Sequence, residues 1–348
     1  MNINLLFGSF NKNVDALATL AASGAAFAQS TVTLSGSINV GVMDTGRVGE
    51  KAGVASLGNG ANAINIASSE DLGGGLRGGF TGQIRFNAAT GDVKSAGLAS
   101  IANNVASSSG NQLLHAANAF ISGGFGTVRV GKIAEAGSCA FDPWGCTAGA
   151  GLMAGSAGGV NALVGAGTQA NSVSYATPTI NGFSGGYQTT VTNPDRAKER
   201  SVLNLNYAKG PLSLGFVQVK GGGNSLAPNP ATAAVGTTGN NIDLTQNFVG
   251  ARYNLGFATL GVTNSKTELA GVTTADVSTL TATAPMGPYT LLAGYAKDKK
   301  RADNADTRTA VGVNYALSKR TTLGADMFKA EAGAGTGTGF VVRVGHTF

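Results

Sequence analysis

The chain ends Phe340-Val-Val-Arg-Val-Gly-His-Thr-Phe348, a segment that alternates cleanly enough to be given two faces. Phe340, Val342, Val344, His346 and Phe348 share one face, and Val341, Arg343, Gly345 and Thr347 share the other. Successive side chains of a β-strand point to opposite sides of the sheet, so an aromatic and aliphatic face stands back to back with one that carries an arginine. A strand between lipid and water has these two faces.

The same reading holds upstream. In Leu76–Phe86 the residues Leu76, Phe80, Ile84 and Phe86 fall on one side, and Arg77, Thr81, Gln83 and Arg85 on the other. Two arginines on one face suit a watery lumen better than a soluble core. Period-two segments separated by turn signals recur from Gln29 to the end, and they add up to about sixteen strands, an even number within the bacterial range. Short turns, such as Asp71-Leu-Gly-Gly-Gly75, Gly210-Pro211 and Ser318-Lys319, take turns with longer polar stretches such as Gly221–Ile242. Outer-membrane barrels connect their strands in this way. A glycine-rich solenoid would repeat at one fixed period, and none is found.

Composition agrees. Of 348 residues only 12% are charged, while 54 are glycine; a soluble chain carries about 25% charged residues. No run of 18 or more apolar residues, the length a membrane helix needs, occurs. The net charge of +6 is spread singly. The one dense group, Lys297-Asp-Lys-Lys-Arg301, reads as a solvated loop tip, and no basic stripe with aromatic platforms suggests nucleic acid. The expected fold is all-β, a transmembrane antiparallel barrel. At the front, Ala25-Ala-Phe-Ala28 after the apolar Leu17–Phe27 fits a signal-peptidase site. Residues 1–28 are expected to be a signal peptide with an atypical front half, and 29–348 the barrel.

Several stretches together resemble the general porins of Gram-negative β-proteobacteria: Gln29-Ser-Thr-Val-Thr-Leu-Ser-Gly36, Ser69-Glu-Asp-Leu-Gly-Gly-Gly-Leu76, Asn118-Ala-Phe-Ile-Ser-Gly-Gly-Phe-Gly-Thr-Val-Arg-Val-Gly131 and Asn171-Ser-Val-Ser-Tyr-Ala-Thr-Pro178, followed by the terminal strand. The match is collinear over the mature chain. The resemblance implies a homotrimer of sixteen-stranded barrels in the outer-membrane lipid, each with a long third loop folded into the lumen. It also implies that the terminal aromatic, Phe348, is an assembly signal read by the outer-membrane barrel assembly machinery. Two departures bear on charge. Ala63 and Ala67 stand where family members often place arginines, and Gly345 stands where a basic residue is common.

The long segment 133–170 is the candidate constriction loop, since ordered connections of this length are often functional. It holds Glu135 and Asp142, the only acids between Asp92 and Asp195. Alternation puts Arg77, Arg85, Arg129, Arg252, Arg308 and Arg343 on lumen-facing positions, so these eight residues are the expected pore lining. Loop carboxylates facing wall arginines would set up a transverse field, and charged rings of this sort tune ion selectivity. The expected activity is passive diffusion of small hydrophilic solutes and ions with mild preference for anions. A substrate-specific channel for anions or organic acids is the alternative, and a non-conducting structural or adhesive barrel is the second.

Cys139 and Cys146, the only cysteines, both lie in the loop. An even count in an oxidising compartment favours a disulfide, with free thiols the alternative. A metal site would need more ligands, and His115 and His346 lie far off in sequence. No cofactor is expected. Catalysis is not expected either, because the chain has neither a Gly-x-Ser-x-Gly elbow nor a His-Glu-x-x-His pair.

Overall fold

The computed structural model describes residues 31–46, 49, 51–57, 62–93, 113–145, 164, 167–191, 200–222, 243–300, 307–330 and 337–348. The expected signal segment 1–28, Cys146, Arg301 and most of the second half of the 133–170 loop lie outside the described residues. Strands follow one another as β1 (Thr31–Asp44), β2 (Gly53–Ser56), β3 (Ala63–Gly73), β4 (Leu76–Arg85), β5 (Ala116–Gly123), β6 (Gly126–Ala134), β7 (Thr168–Ala176), β8 (Phe183–Thr190) and β9 (Arg200–Lys209). The second half holds β10 (Leu212–Gly222), β11 (Asp243–Asn254), β12 (Thr259–Leu269), β13 (Val272–Met286), β14 (Tyr289–Asp298), β15 (Thr307–Ala316), β16 (Thr321–Ala330) and β17 (Gly337–Thr347).

All of them form one antiparallel sheet. The four-residue β2 pairs with β1 beyond the end of the β1–β3 pairing, so sixteen strands close the ring. The seam lies between β1 and β17, in register from Ser37↔Thr347 to Asp44↔Phe340. It is completed by reciprocal backbone hydrogen bonds of 3.0 Å between Gly36 and Phe348. Closure gives every strand two neighbours, which a lipid environment requires because it offers nothing to an unpaired N–H or C=O.

One end of the barrel carries the short turns, including Gly74–Gly75, Gly124–Phe125, Gly210–Pro211 and Gly287–Pro288. The longer connections gather at the other end, with one departure from the expected alternation. By that alternation β12 and β13 would be joined here by one of the longer connections. Both strands instead run on to a two-residue turn, Ala270–Gly271. Its φ angles of 48° and 77° are the mirror-image hairpin geometry that matches strand twist. A register shift after Thr267 absorbs the mismatch.

Outward-facing residues form an apolar band that includes Val130, Leu205, Val249, Val262, Leu280, Val311 and Val342, all exposed on the barrel exterior. Aromatic pairs mark its edge at the short-turn end: Phe183 with Tyr207 at 4.5 Å and Tyr289 with Tyr315 at 4.9 Å between ring centroids. Amphipathic rings at a bilayer interface form such a girdle. Towards the long-loop end the polarity of the two faces inverts. In β10 Val217 and Val219 are buried inside while Lys220 is exposed outside, and outside Gln218 donates to Asn247 Oδ1 at 2.8 Å. In β13 Val277 is buried inside while Asp276 accepts from Asn264 Nδ2 outside at 2.9 Å.

Candidate functional site in the barrel interior

The interior has two unlike walls. On β3 to β6 the inward side chains are polar and hydrogen-bonded across the strands. Gln83 Nε2 donates to Asn65 Oδ1 at 2.8 Å, and Arg85 Nε donates to Gln83 Oε1 at 2.7 Å. Thr81 Oγ1 and Arg129 Nη1 both donate to Asn118 Oδ1, at 3.0 and 3.1 Å. The Arg129 guanidinium also lies over the Phe120 ring, 5.2 Å from its centroid. At the head of β5, His115 is buried, and neither ring nitrogen has a hydrogen-bond partner. Burial, reinforced by the charges of Arg85 and Lys132, pushes its imidazole down to about 3.

From β9 round to β17, and on into β1, the inward face carries a buried apolar cluster beside buried polar groups such as Gln246, Thr263, Ser265, Thr279 and Asp326. Val202, Val219, Phe248, Val277, Phe328 and Val341 are buried there in a cluster that also takes in Phe141, Trp144 and Val164 of the 133–170 segment, and Leu57 of the β1–β3 connection. Burial of apolar side chains is the main force available to hold a connection of this length. The sheet supplies recesses for it. Phe141 lies against Gly215 of β10 and Gly250 of β11, and a Cβ at Gly250 would fall 2.8 Å from the Phe141 ring. Phe141 also packs on Phe248 at 5.3 Å, and Arg252 covers it as a cation 5.1 Å from its centroid.

The segment leaves and re-enters the sheet through a polar clasp. Glu135 forms an ion pair with Arg200 of β9, whose Nε and Nη2 reach both carboxylate oxygens. Gln169 Nε2 donates to Glu135 Oε1 at 3.0 Å, and the Glu135 backbone N–H donates to Gly167 O at 2.9 Å. One turn on, Ser138 and Val164 exchange hydrogen bonds of 2.9 and 3.0 Å at the start of the 3-10 turn Ser138–Phe141. Cys139 in that turn is disulfide-bonded. Beyond it Asp142 Oδ1 accepts from the Trp144 backbone N–H at 3.0 Å. The Trp144 indole Nε1 donates to Asp326 Oδ1 of β16 at 2.9 Å. Asp326 Oδ2 in turn accepts from Arg343 Nε at 3.0 Å.

The eight expected pore-lining residues separate into groups. Arg85, Arg129, Arg252 and Arg343 face inward and are partly covered. Arg77 shares the inward register but sits exposed at the short-turn end, directly across from Asp71, so it lines a mouth and not the middle. Arg308 is 0% exposed, its guanidinium 4.8 Å from the Phe328 centroid and within electrostatic reach of Asp142, itself buried. The Glu135 side chain is also 0% exposed. A buried carboxylate must be paired and hydrogen-bonded, and for Glu135 the clasp uses it up. Its place is therefore the base of the loop and not an open pore surface. Sequence reasoning missed Arg200, Trp144 and Asp326. Two signals were available: Trp144 is the only tryptophan of the chain, and Asp326 is an acid on the inward register of an alternating strand.

A sequence profile of the Gram-negative porins matches residues 16–332. Outer membrane porin protein 32 of Delftia acidovorans is 30% identical over 345 residues, which cover 90% of this chain and 87% of that one. Among solved structures, the anion-selective porin from Comamonas acidovorans superimposes with a TM-score of 0.71 at 22% identity, over 92% of this chain and 100% of that one. A mutant of the Rh. blastica porin does so at 0.62 and 19%, over 91% and 100%.

Proposed function

Because this chain belongs to the Gram-negative porin family, we propose that its outer-membrane channel passes small hydrophilic solutes with a mild preference for anions, steered by the 133–170 segment as constriction loop. The channel itself is water-filled and passive. What carries the anion preference is the bookkeeping of interior charge. The buried inward acids are already engaged: Glu135 with Arg200, Asp326 with Arg343 and Trp144, Asp142 beside Arg308, and Asp298 with the backbone N–H groups of Asp276 and Lys300. Arg85, Arg129 and Arg252 lean on neutral groups, namely Gln83, Asn118 with the Phe120 ring, and the Phe141 ring. Their charge is left to act on the water path, and low-dielectric walls focus such fields. The name of the Comamonas protein, an anion-selective porin, points the same way.

The finer parts of the reading go with it. Residues 1–28 are the signal peptide, the barrel works as a homotrimer, Cys139 closes with Cys146, and Phe348 marks the chain for the assembly machinery. The deciding experiment is a reversal potential for the purified protein in a planar bilayer across a potassium chloride gradient. A potential of the sign set by chloride is expected. One set by potassium overturns the anion reading, and an absence of conductance overturns the channel itself.

A further inference from the structure

We propose that Asp326 is a positioning and selectivity-determining residue of this pore: one carboxylate latches the inserted loop through Trp144 and cancels the charge of Arg343. The proposal rests on the reading of the interior as an ion path.

The observations start from the sheet. Asp326 of β16 is directly paired with Gly312 of β15, and Gly324 of β16 with Arg343 of β17. Both glycines mark places where a side chain from the other strand lies flat over the backbone. A Cβ at Gly312 would collide with Asp326 Oδ1 and come within 3.3 Å of Trp144 Nε1. A Cβ at Gly324 would come within 2.5 Å of the Arg343 guanidinium carbon. Two neighbouring strands thus give up side-chain volume to seat one acid, one arginine and one indole.

The bonds divide the work of the carboxylate. Oδ1 accepts from the Trp144 indole at 2.9 Å, a contact between residues 182 apart in the chain. Oδ2 accepts from Arg343 Nε at 3.0 Å, while Arg343 Nη2 turns to Asn314 Oδ1 at 2.8 Å. The Asp326 side chain is fully buried and that of Arg343 only 10% exposed. A charge-assisted pair removed from water in this way contributes little net field beyond its own contact. Arg343, one of the six arginines that alternation marks as lumen-facing, is therefore electrically muted, and Asp326 mutes it.

The two roles separate by substitution. Asp326→Asn keeps an oxygen acceptor for the Trp144 N–H and removes the charge; Trp144→Phe keeps the ion pair and removes the donor. With reconstituted full-length protein in planar bilayers, D326N is expected to raise the anion-to-cation permeability ratio about twofold over the parent, with the open level as steady as before. W144F is expected to leave the ratio unchanged and to increase brief closures of the open channel. Adding Arg343→Gln to D326N is expected to return the ratio to the parental value. An unchanged ratio in D326N, or a ratio that the double variant does not restore, overturns the proposal; so does a W144F channel as quiet as the parent. Should D326N fail to assemble, R343Q and the double variant together decide the charge role: R343Q uncovers the carboxylate and is expected to lower the ratio about twofold, the double variant to keep the parental ratio, and any other outcome overturns the proposal. Because each shift is read against the parent, a parent without anion preference overturns the earlier reading while leaving this one measurable.

Discussion

The wall from β3 to β6 and the wall from β9 to β17 belong to one sheet and follow one alternation, but their inner faces meet different surroundings. On the first, Asn65, Thr81, Gln83, Arg85, Asn118 and Arg129 bond to one another. On the second, valines and phenylalanines face inward and are covered by Phe141, Trp144 and Val164. Alternation fixes the direction in which a side chain points. What it meets there depends on whether another part of the chain is packed on that face. The covered wall holds Phe141, Trp144 and Val164 by apolar burial, whereas Arg85 and Arg129 on the open wall bond to Gln83 and Asn118.

The sharpest way to break this contrast is to remove the side chain that fills the glycine recess. Phe141→Ala is expected to weaken loop docking by about 3–5 kcal/mol, the usual loss for a buried phenylalanine. Limited proteolysis of the folded barrel should then cut within residues 133–170 where the parent resists. Equal resistance would show that packing on Gly215 and Gly250 does not hold the loop. Polar insertion tests the same wall from the other side. Val219→Asn is expected to cost roughly 1–3 kcal/mol through a buried amide without partners, whereas Thr81→Val on the open wall loses one hydrogen bond, about 0.5–1.5 kcal/mol. Urea unfolding in detergent measures both, and equal costs would erase the distinction between the walls.

The open wall has an electrical test. Replacing Arg85 and Arg129 together by Gln is expected to lower the anion-to-cation permeability ratio about twofold, equivalent to ~0.4 kcal/mol. An unchanged reversal potential would take the polar wall out of the selectivity mechanism. The smallest effect concerns pH. With its imidazole pushed down to about 3, His115 stays neutral in the folded chain, so selectivity should show no step between about pH 5 and 8. The unfolded chain takes up a proton below about 6.5, so this group makes the fold less stable as pH falls from there towards about 3. His115→Leu should blunt that acid sensitivity in unfolding experiments.

Most of the barrel was legible because a strand carries its own record. Phe340 to Phe348 can be split into faces without knowing any other part of the chain, and the sides assigned to Val341 and Arg343 are those observed. The strands β10 and β13 show the limit. Val217–Gln218–Val219 alternates well, but the rule that apolar residues face lipid gives the wrong environment, because here the apolar side is covered from within by the loop. The site was less legible for the same reason. Phe141 with Gly250, Glu135 with Arg200 and Trp144 with Asp326 are contacts between distant segments, and each partner alone looks ordinary. A glycine recess has no periodicity, and an acid that closes a clasp has the same letter as one that lines a pore.

The seam between β1 and β17 has a consequence in time. Val42 and Val342 are register partners, three hundred positions apart, whereas most other neighbouring strands are joined by a turn or a single loop. Closing a chain segment of that length costs about 3 kcal/mol more entropy than closing a hairpin of a dozen residues. Hairpins such as β12–β13 can therefore form early and independently, while the ring shuts last. Until Gly36 and Phe348 exchange their hydrogen bonds, the sheet has two raw edges in a medium that cannot satisfy them. Insertion is thus a race between seam closure and edge-to-edge association, and the paired backbones of Gly36 and Phe348 are among the contacts that end it.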